Sequence, residues 1–169
     1  MSHSAPRGRG WEEPAVLLAV AAAILLADQL SKAVVIASLA LGERAPVLGN
    51  LVVVWHVRNT GAAFSLFQGG LALFLVVSVA ALFLIAYYHR AFRGRTLWLQ
   101  GLLGVILGGT LGNLVDRVRF GYVTDFISVG IGELRWPTFN VADSSIVVGI
   151  IILVGYLSLG ERPPREVAA

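Results

Sequence analysis

Only four aspartates, Asp28, Asp116, Asp125 and Asp143, occur in the 169-residue chain, and each falls within or at the mouth of an apolar stretch. An ionisable group in such surroundings is costly, and is tolerated where it faces a bundle interior or a water-filled cavity. Helix-end capping and ion pairing are one explanation; chemistry is the other. Asn140-Val-Ala-Asp143 carries both readings. As the start of a helix after Pro137, Asn140 is a suitable N-cap and Asp143 complements the helix dipole, with no chemistry required. The sharper reading pairs Asp143 with Asp125. Two carboxyls forced together cannot both ionise, so they share a proton: one takes a proton from water while the other donates a hydrogen bond to a peptide carbonyl. Spacing along the chain leaves open whether the two meet.

Asp28 and Lys32, the only lysine, are four residues apart and stack on one helical face with the acid first, the favourable order for an ion pair. Mutual neutralisation gives them a structural role, with substrate or lipid-headgroup contact as the functional variant. Ser31 beside Lys32 does not make a serine–lysine nucleophile, because adjacent helical side chains diverge by about 100°. Gly104, Gly108 and Gly112 recur every four residues and form a flat stripe for close helix packing. Asn113 and Asp116 continue near that face and need partners, which Arg117 or another helix could supply.

Several function classes drop out. Cysteine is absent, which removes disulfides, thiolate metal sites and cysteine nucleophiles. His3, His56 and His89 are scattered and form no helical zinc motif, so no metal and no cofactor is expected. The net charge of +3 comes from arginines in loops and tails, and no basic run with interleaved aromatics suggests nucleic acid.

The elements that must position these residues are membrane spans. With 57% apolar and 14% charged residues and a mean hydropathy of +0.79, the chain has too little charge to coat a soluble protein of its size. Four apolar stretches, about 14–41, 70–88, 96–115 and 141–160, are each long enough to cross a hydrocarbon core of about 30 Å. The fold class expected is an all-α membrane protein of four transmembrane helices in a single domain. The first stretch is too long for a cleaved signal peptide and reads as a retained signal anchor. Counting arginines by face sets Arg7, Arg9, Arg90, Arg93, Arg95, Arg162 and Arg165 against Arg44, Arg58, Arg117, Arg119 and Arg135. Seven against five favours cytoplasmic termini. The segments about 42–69 and 116–140 then lie outside. Leu51 to Val57 reads as a strand, and Tyr122 to Trp136 as a short hairpin, together a small extracytoplasmic β element.

Five motifs occur in order: Asp28-Gln-Leu-Ser-Lys32, Asn59-Thr-Gly-Ala-Ala-Phe-Ser65, Gly108 to Arg117, Val123-Thr-Asp-Phe126 and Phe139-Asn-Val-Ala-Asp-Ser144. Together they resemble the bacterial lipoprotein signal peptidase family, signal peptidase II. Thr110 and Thr124 depart from the residues more usual there, and neither departure falls on an acidic position. The resemblance implies an inner-membrane aspartic endopeptidase that removes the signal peptide of diacylglyceryl-modified prolipoproteins before the lipid-bearing cysteine. It puts the catalytic pair on Asp125 and Asp143. Asn59, Gly61, Asn113, Arg117 and Asn140 fall on positions that line the site or brace the pair, and Asp28, Lys32 and Asp116 on supporting ones. The partners implied are a lipidated prolipoprotein and membrane lipid, with the enzyme a monomer.

Two other classes compete. A transport subunit with a proton or cation path also needs intramembrane acids, at several depths. A purely structural four-helix assembly factor explains the glycine stripe but leaves the polar motifs idle.

Overall fold

The computed structural model describes residues 11–61 and 71–160. Arg7, Arg9, Arg162 and Arg165 of the arginine count, His3, Gly70 and the motif residues Ala62 to Ser65 lie outside the described residues.

Four long helices and a four-stranded antiparallel sheet follow one another as α1 (Glu12–Ser38), β1 (Arg44–Leu48), β2 (Val52–Asn59), α2 (Leu71–Ala91), α3 (Leu97–Phe120), β3 (Val123–Ile131), β4 (Leu134–Arg135) and α4 (Val141–Gly160). All four helices have the length and hydropathy to cross a membrane. Three differences from the sequence expectation stand out. Helix α2 continues to Ala91, three residues beyond Tyr88. Helix α3 runs to Phe120, so Asp116 and Arg117 belong to the helix and not to the segment 116–140. Arg117 and Arg119 in its last turn complement the dipole, and Gly121, at φ 77°, takes the left-handed conformation that closes the helix by donating its N–H to the Arg117 carbonyl. The third difference is β1, a five-residue edge strand, Arg44-Ala-Pro-Val-Leu48, which contains a proline and lacks the β-branched run that marks β2.

The sheet order is β1-β2-β3-β4. The β2–β3 register sets Val57 opposite Asp125 and Asn59 opposite Val123, with a bulge between Val54 and Val57. This sheet meets the ends of the bundle where α1 and α3 finish and α2 and α4 begin.

Helix α3 is the central post, packed against α1, α4 and α2. In lipid, apolar contact between helices gains little over contact with acyl chains, so backbone proximity and dispersion must hold the bundle. The glycine stripe supplies that proximity. A Cβ at Gly104 would stand 2.6 Å from the Leu17 carbonyl oxygen, and one at Gly108 would stand 2.6 Å from that of Ala21. Gly109 faces α4 in the same way, against the Ala142 carbonyl. Away from the sheet the core is apolar: Leu17, Ile85, Leu99, Leu102, Leu103, Ile106 and Leu153 cluster with Phe92. Tyr156 joins it through edge-on ring contacts with Phe92 and Trp98.

Candidate active site

At the sheet end the bundle interior turns polar. Asp125 projects from β3, and both of its carboxyl oxygens are held by amides. Asn59, at the end of β2, donates from Nδ2 to Oδ2 at 2.8 Å, and Asn140 donates from Nδ2 to Oδ1 at 2.7 Å. The Asn59 amide is itself oriented, because its oxygen accepts the Gly61 N–H at 2.9 Å. Asp143 occupies the first turn of α4. Asn113 Nδ2 donates to its Oδ1 at 2.7 Å and the Asn140 backbone N–H to its Oδ2 at 3.2 Å. The Asp143 N–H returns a bond to Asn140 Oδ1 at 2.9 Å. That reciprocal pair is a capping box, so the capping role of Asn140 and Asp143 is real. It does not displace the sharper reading. The same Asn140 grips Asp125, and both aspartates line one cavity of about 640 Å³.

That cavity has two kinds of wall. Asn59, Arg117, Asp125, Asp143 and Ser144 make a polar notch; Phe74 of α2 and Val147 and Val148 of α4 make an apolar flank. The apolar lining was not read from the sequence, because a valine facing a cavity and one facing lipid look alike there. Gly61 also lines the cavity. The Arg117 guanidinium lies over the Phe74 ring, 4.8 Å from its centroid, and bonds the Asn113 carbonyl at 3.4 Å.

Asp125 is almost completely buried, and burial pushes its carboxyl up to about 7. The negative charge of Asp143 pushes in the same direction; the hydrogen bonds from Asn59 and Asn140, and the charge of Lys32, oppose it. A carboxyl poised near neutrality beside a second one is suited to hold or yield a proton at physiological pH.

The remaining sequence candidates form a second cluster behind the notch. Lys32 Nζ reaches Asp28 Oδ2 at 2.7 Å, Asp116 Oδ2 at 3.0 Å and Asn113 Oδ1 at 3.2 Å. The partner of Asp116 is therefore Lys32 on α1, together with Gln29 Nε2 at 2.9 Å and the Thr124 N–H at 3.1 Å. Gln29 was passed over in the sequence, although it stands inside the first motif next to Asp28. Among the described residues no three His, Cys, Asp or Glu side chains gather as a metal site would require.

Comparison with known proteins agrees with this geometry. The family described as Signal peptidase (SPase) II matches residues 20–159. The chain belongs to that family. A lipoprotein signal peptidase of Dehalococcoides mccartyi is 50% identical over 134 residues, covering 77% of this chain and 81% of its own length. One from Halothermothrix orenii is 39% identical over 140 residues, covering 82% and 92%. Among solved structures, a bacterial membrane enzyme determined by the in meso method superposes with a TM-score of 0.77 at 27% identity, over 91% of this chain and 95% of the other. With four spans and such neighbours, this peptidase is a multi-pass membrane protein. Its four aspartates collect at the sheet end of the signal peptidase fold, while the buried Glu13 at the opposite end accepts the Gly94 N–H.

Proposed function

We propose that the chain removes the signal peptide of diacylglyceryl-modified prolipoproteins, cutting before the lipid-bearing cysteine, with Asp125 and Asp143 as the catalytic pair. The observation that carries this reading is Asn140, which bonds both carboxyls at the rim of one cavity. A water between the two carboxyls gives up a proton to the ionised one as its oxygen bonds the scissile carbonyl carbon. The protonated partner donates to the carbonyl oxygen, so charge does not build up on it. When the C–N bond breaks, the leaving nitrogen takes the proton that came from water, one hydroxyl of the tetrahedral intermediate returns its proton to the other carboxyl as the new carboxyl group forms, and the pair is again singly protonated.

The cavity suits a lipidated substrate. Its apolar flank lies where α2 and α4 border the bilayer, so acyl chains can stay in lipid while the backbone enters the polar notch. Arg117, Asn59 and Asn113 supply donors that hold an extended backbone once water is displaced. The sheet end is proposed to face outward from the bacterial inner membrane with both termini cytoplasmic, which the exposed Arg90, Arg93 and Arg95 at the opposite end support. The enzyme is proposed to act as a monomer.

The test is direct. Protein purified in detergent is mixed with a diacylglyceryl-modified prolipoprotein and cleavage is followed by gel shift. The wild type cleaves; Asp125→Asn and Asp143→Asn fold and do not. Near-normal cleavage by either variant removes that residue from the pair.

A further inference from the structure

Lys32 makes no contact with the cavity, yet both proposed catalytic carboxyls are tied back to it by parallel routes. On one route, Lys32 pairs with Asp116, and the other contacts of that carboxylate include the N–H of Thr124, the residue immediately before Asp125. On the other, Lys32 pairs with Asp28, whose Oδ1 accepts the N–H of Ala142 at 2.9 Å, the residue immediately before Asp143. One cation on α1 thus fixes two carboxylates, and each carboxylate anchors the backbone of one element, β3 or α4, that carries an active-site aspartate.

A third line runs through an amide. An ammonium group can only donate, so Lys32 Nζ requires the oxygen of Asn113 to face it. The Asn113 nitrogen must then point the other way, where it donates to Asp143. The Asn140 nitrogen, donating to the same Asn113 oxygen and to Asp125, closes the loop. Asp28, Lys32 and Asp116 are all buried, so none of these bonds competes with solvent. A lysine needed only to neutralise Asp28 would have no reason to reach two further groups.

We propose that Lys32 is a positioning residue for both aspartates, setting through Asp116, Asp28 and Asn113 where their carboxyls stand and which way the intervening amides point. The proposal rests on the two-aspartate reading above. The charged groups facing the pair are Lys32 and Asp28 from α1 and Arg117 from α3, with Asp116 of α3 beside Lys32 and Arg117, while Asp143 on α4 faces Asp125 on β3.

Two variants separate position from charge. Lys32→Met removes the hub and its charge. The double variant Lys32→Met, Asp28→Asn removes the hub but keeps the net charge of the Asp28–Lys32–Asp116 cluster, since one cation and one acid leave together. With a diacylglyceryl-modified prolipoprotein as substrate, both variants are expected to lose about 100-fold in kcat with KM little changed, the size of loss that a misplacement of about 1 Å brings. The alkaline limb of the rate profile moves to higher pH in Lys32→Met and stays near the wild-type position in the double variant. Wild-type kcat in either variant, measured on protein with a cooperative melt, overturns the proposal. So does failure of both variants to fold, which would make Lys32 a residue of the fold alone. Activity retained by Asp125→Asn or Asp143→Asn would instead overturn the underlying reading, whatever Lys32 does.

Discussion

The two ends of the bundle are built on different principles although α3 runs through both. Away from the sheet, α3 contributes Leu99, Leu102, Leu103 and Ile106 to an apolar cluster closed by Phe92. Toward the sheet, the same helix contributes Asn113 and Asp116, and almost every polar atom there is committed to a named partner. The first end tolerates exchange among side chains of equal volume, because dispersion has no direction. The second does not, because a buried donor or acceptor that loses its partner keeps its desolvation cost. One end holds the helices together; the other holds two carboxyls in place.

The largest contrast comes from one substitution at each end. Asp143→Asn should lower turnover by about 10³-fold or more while costing stability only the one accepted hydrogen bond that its amide nitrogen cannot replace, about 1–3 kcal/mol. Leu103→Ala should do the reverse, costing about 2–5 kcal/mol of stability by leaving a cavity while kcat per folded molecule is unchanged. Thermal melts and cleavage rates on the same preparations check both. A large fall in kcat for Leu103→Ala would dissolve the distinction between the ends.

Asn140→Ala sharpens the comparison because this residue serves structure and site together. It removes a helix cap, worth about 1 kcal/mol, and one amide donor to Asp125. A tenfold or greater loss of kcat with only a small change in melting temperature is the expected result, and equal effects on both would place Asn140 with the capping groups alone. Gly108→Ala probes the seam joining the ends. Its new Cβ would press on the Ala21 carbonyl, so a loss of about 1–3 kcal/mol is expected, read as a lowered melting temperature with activity retained.

A further effect, read as a slope and not as a single value, is a dependence of stability on pH. The folded value of Asp125 is raised from 3.8 to about 7, so the folded state binds this proton more tightly than the unfolded chain does. Below pH 4 the group costs nothing. As pH rises from about 4 to 7 the cost grows, and above 7 it is constant. The melting temperature of Asp125→Asn should therefore gain on that of the wild type across this window; a gap independent of pH would contradict the buried carboxyl.

How much of this was legible beforehand depended on how local each interaction is. The four spans could be read because hydropathy is a property of contiguous residues, and the Asn140–Asp143 capping box because its two members are three residues apart. The five ordered motifs identified the family. The bonds from Gln29 to Asp116 and from Lys32 to Asn113 join residues more than 80 positions apart, and no periodicity encodes such a meeting. The end of α3 was placed too early because Asp116, Arg117 and Arg119 look like a polar loop. On the helix they face partners: Lys32 for Asp116, and the Phe74 ring for Arg117.

The central claim is that the two carboxyls share one proton near neutral pH. Infrared difference spectra of the detergent-purified protein, taken through a pH titration, read that proton through the carboxylic-acid carbonyl band. A band that persists to about pH 7, and is changed in both Asp125→Asn and Asp143→Asn, is the predicted result. Complete ionisation of both groups by about pH 5 would contradict it.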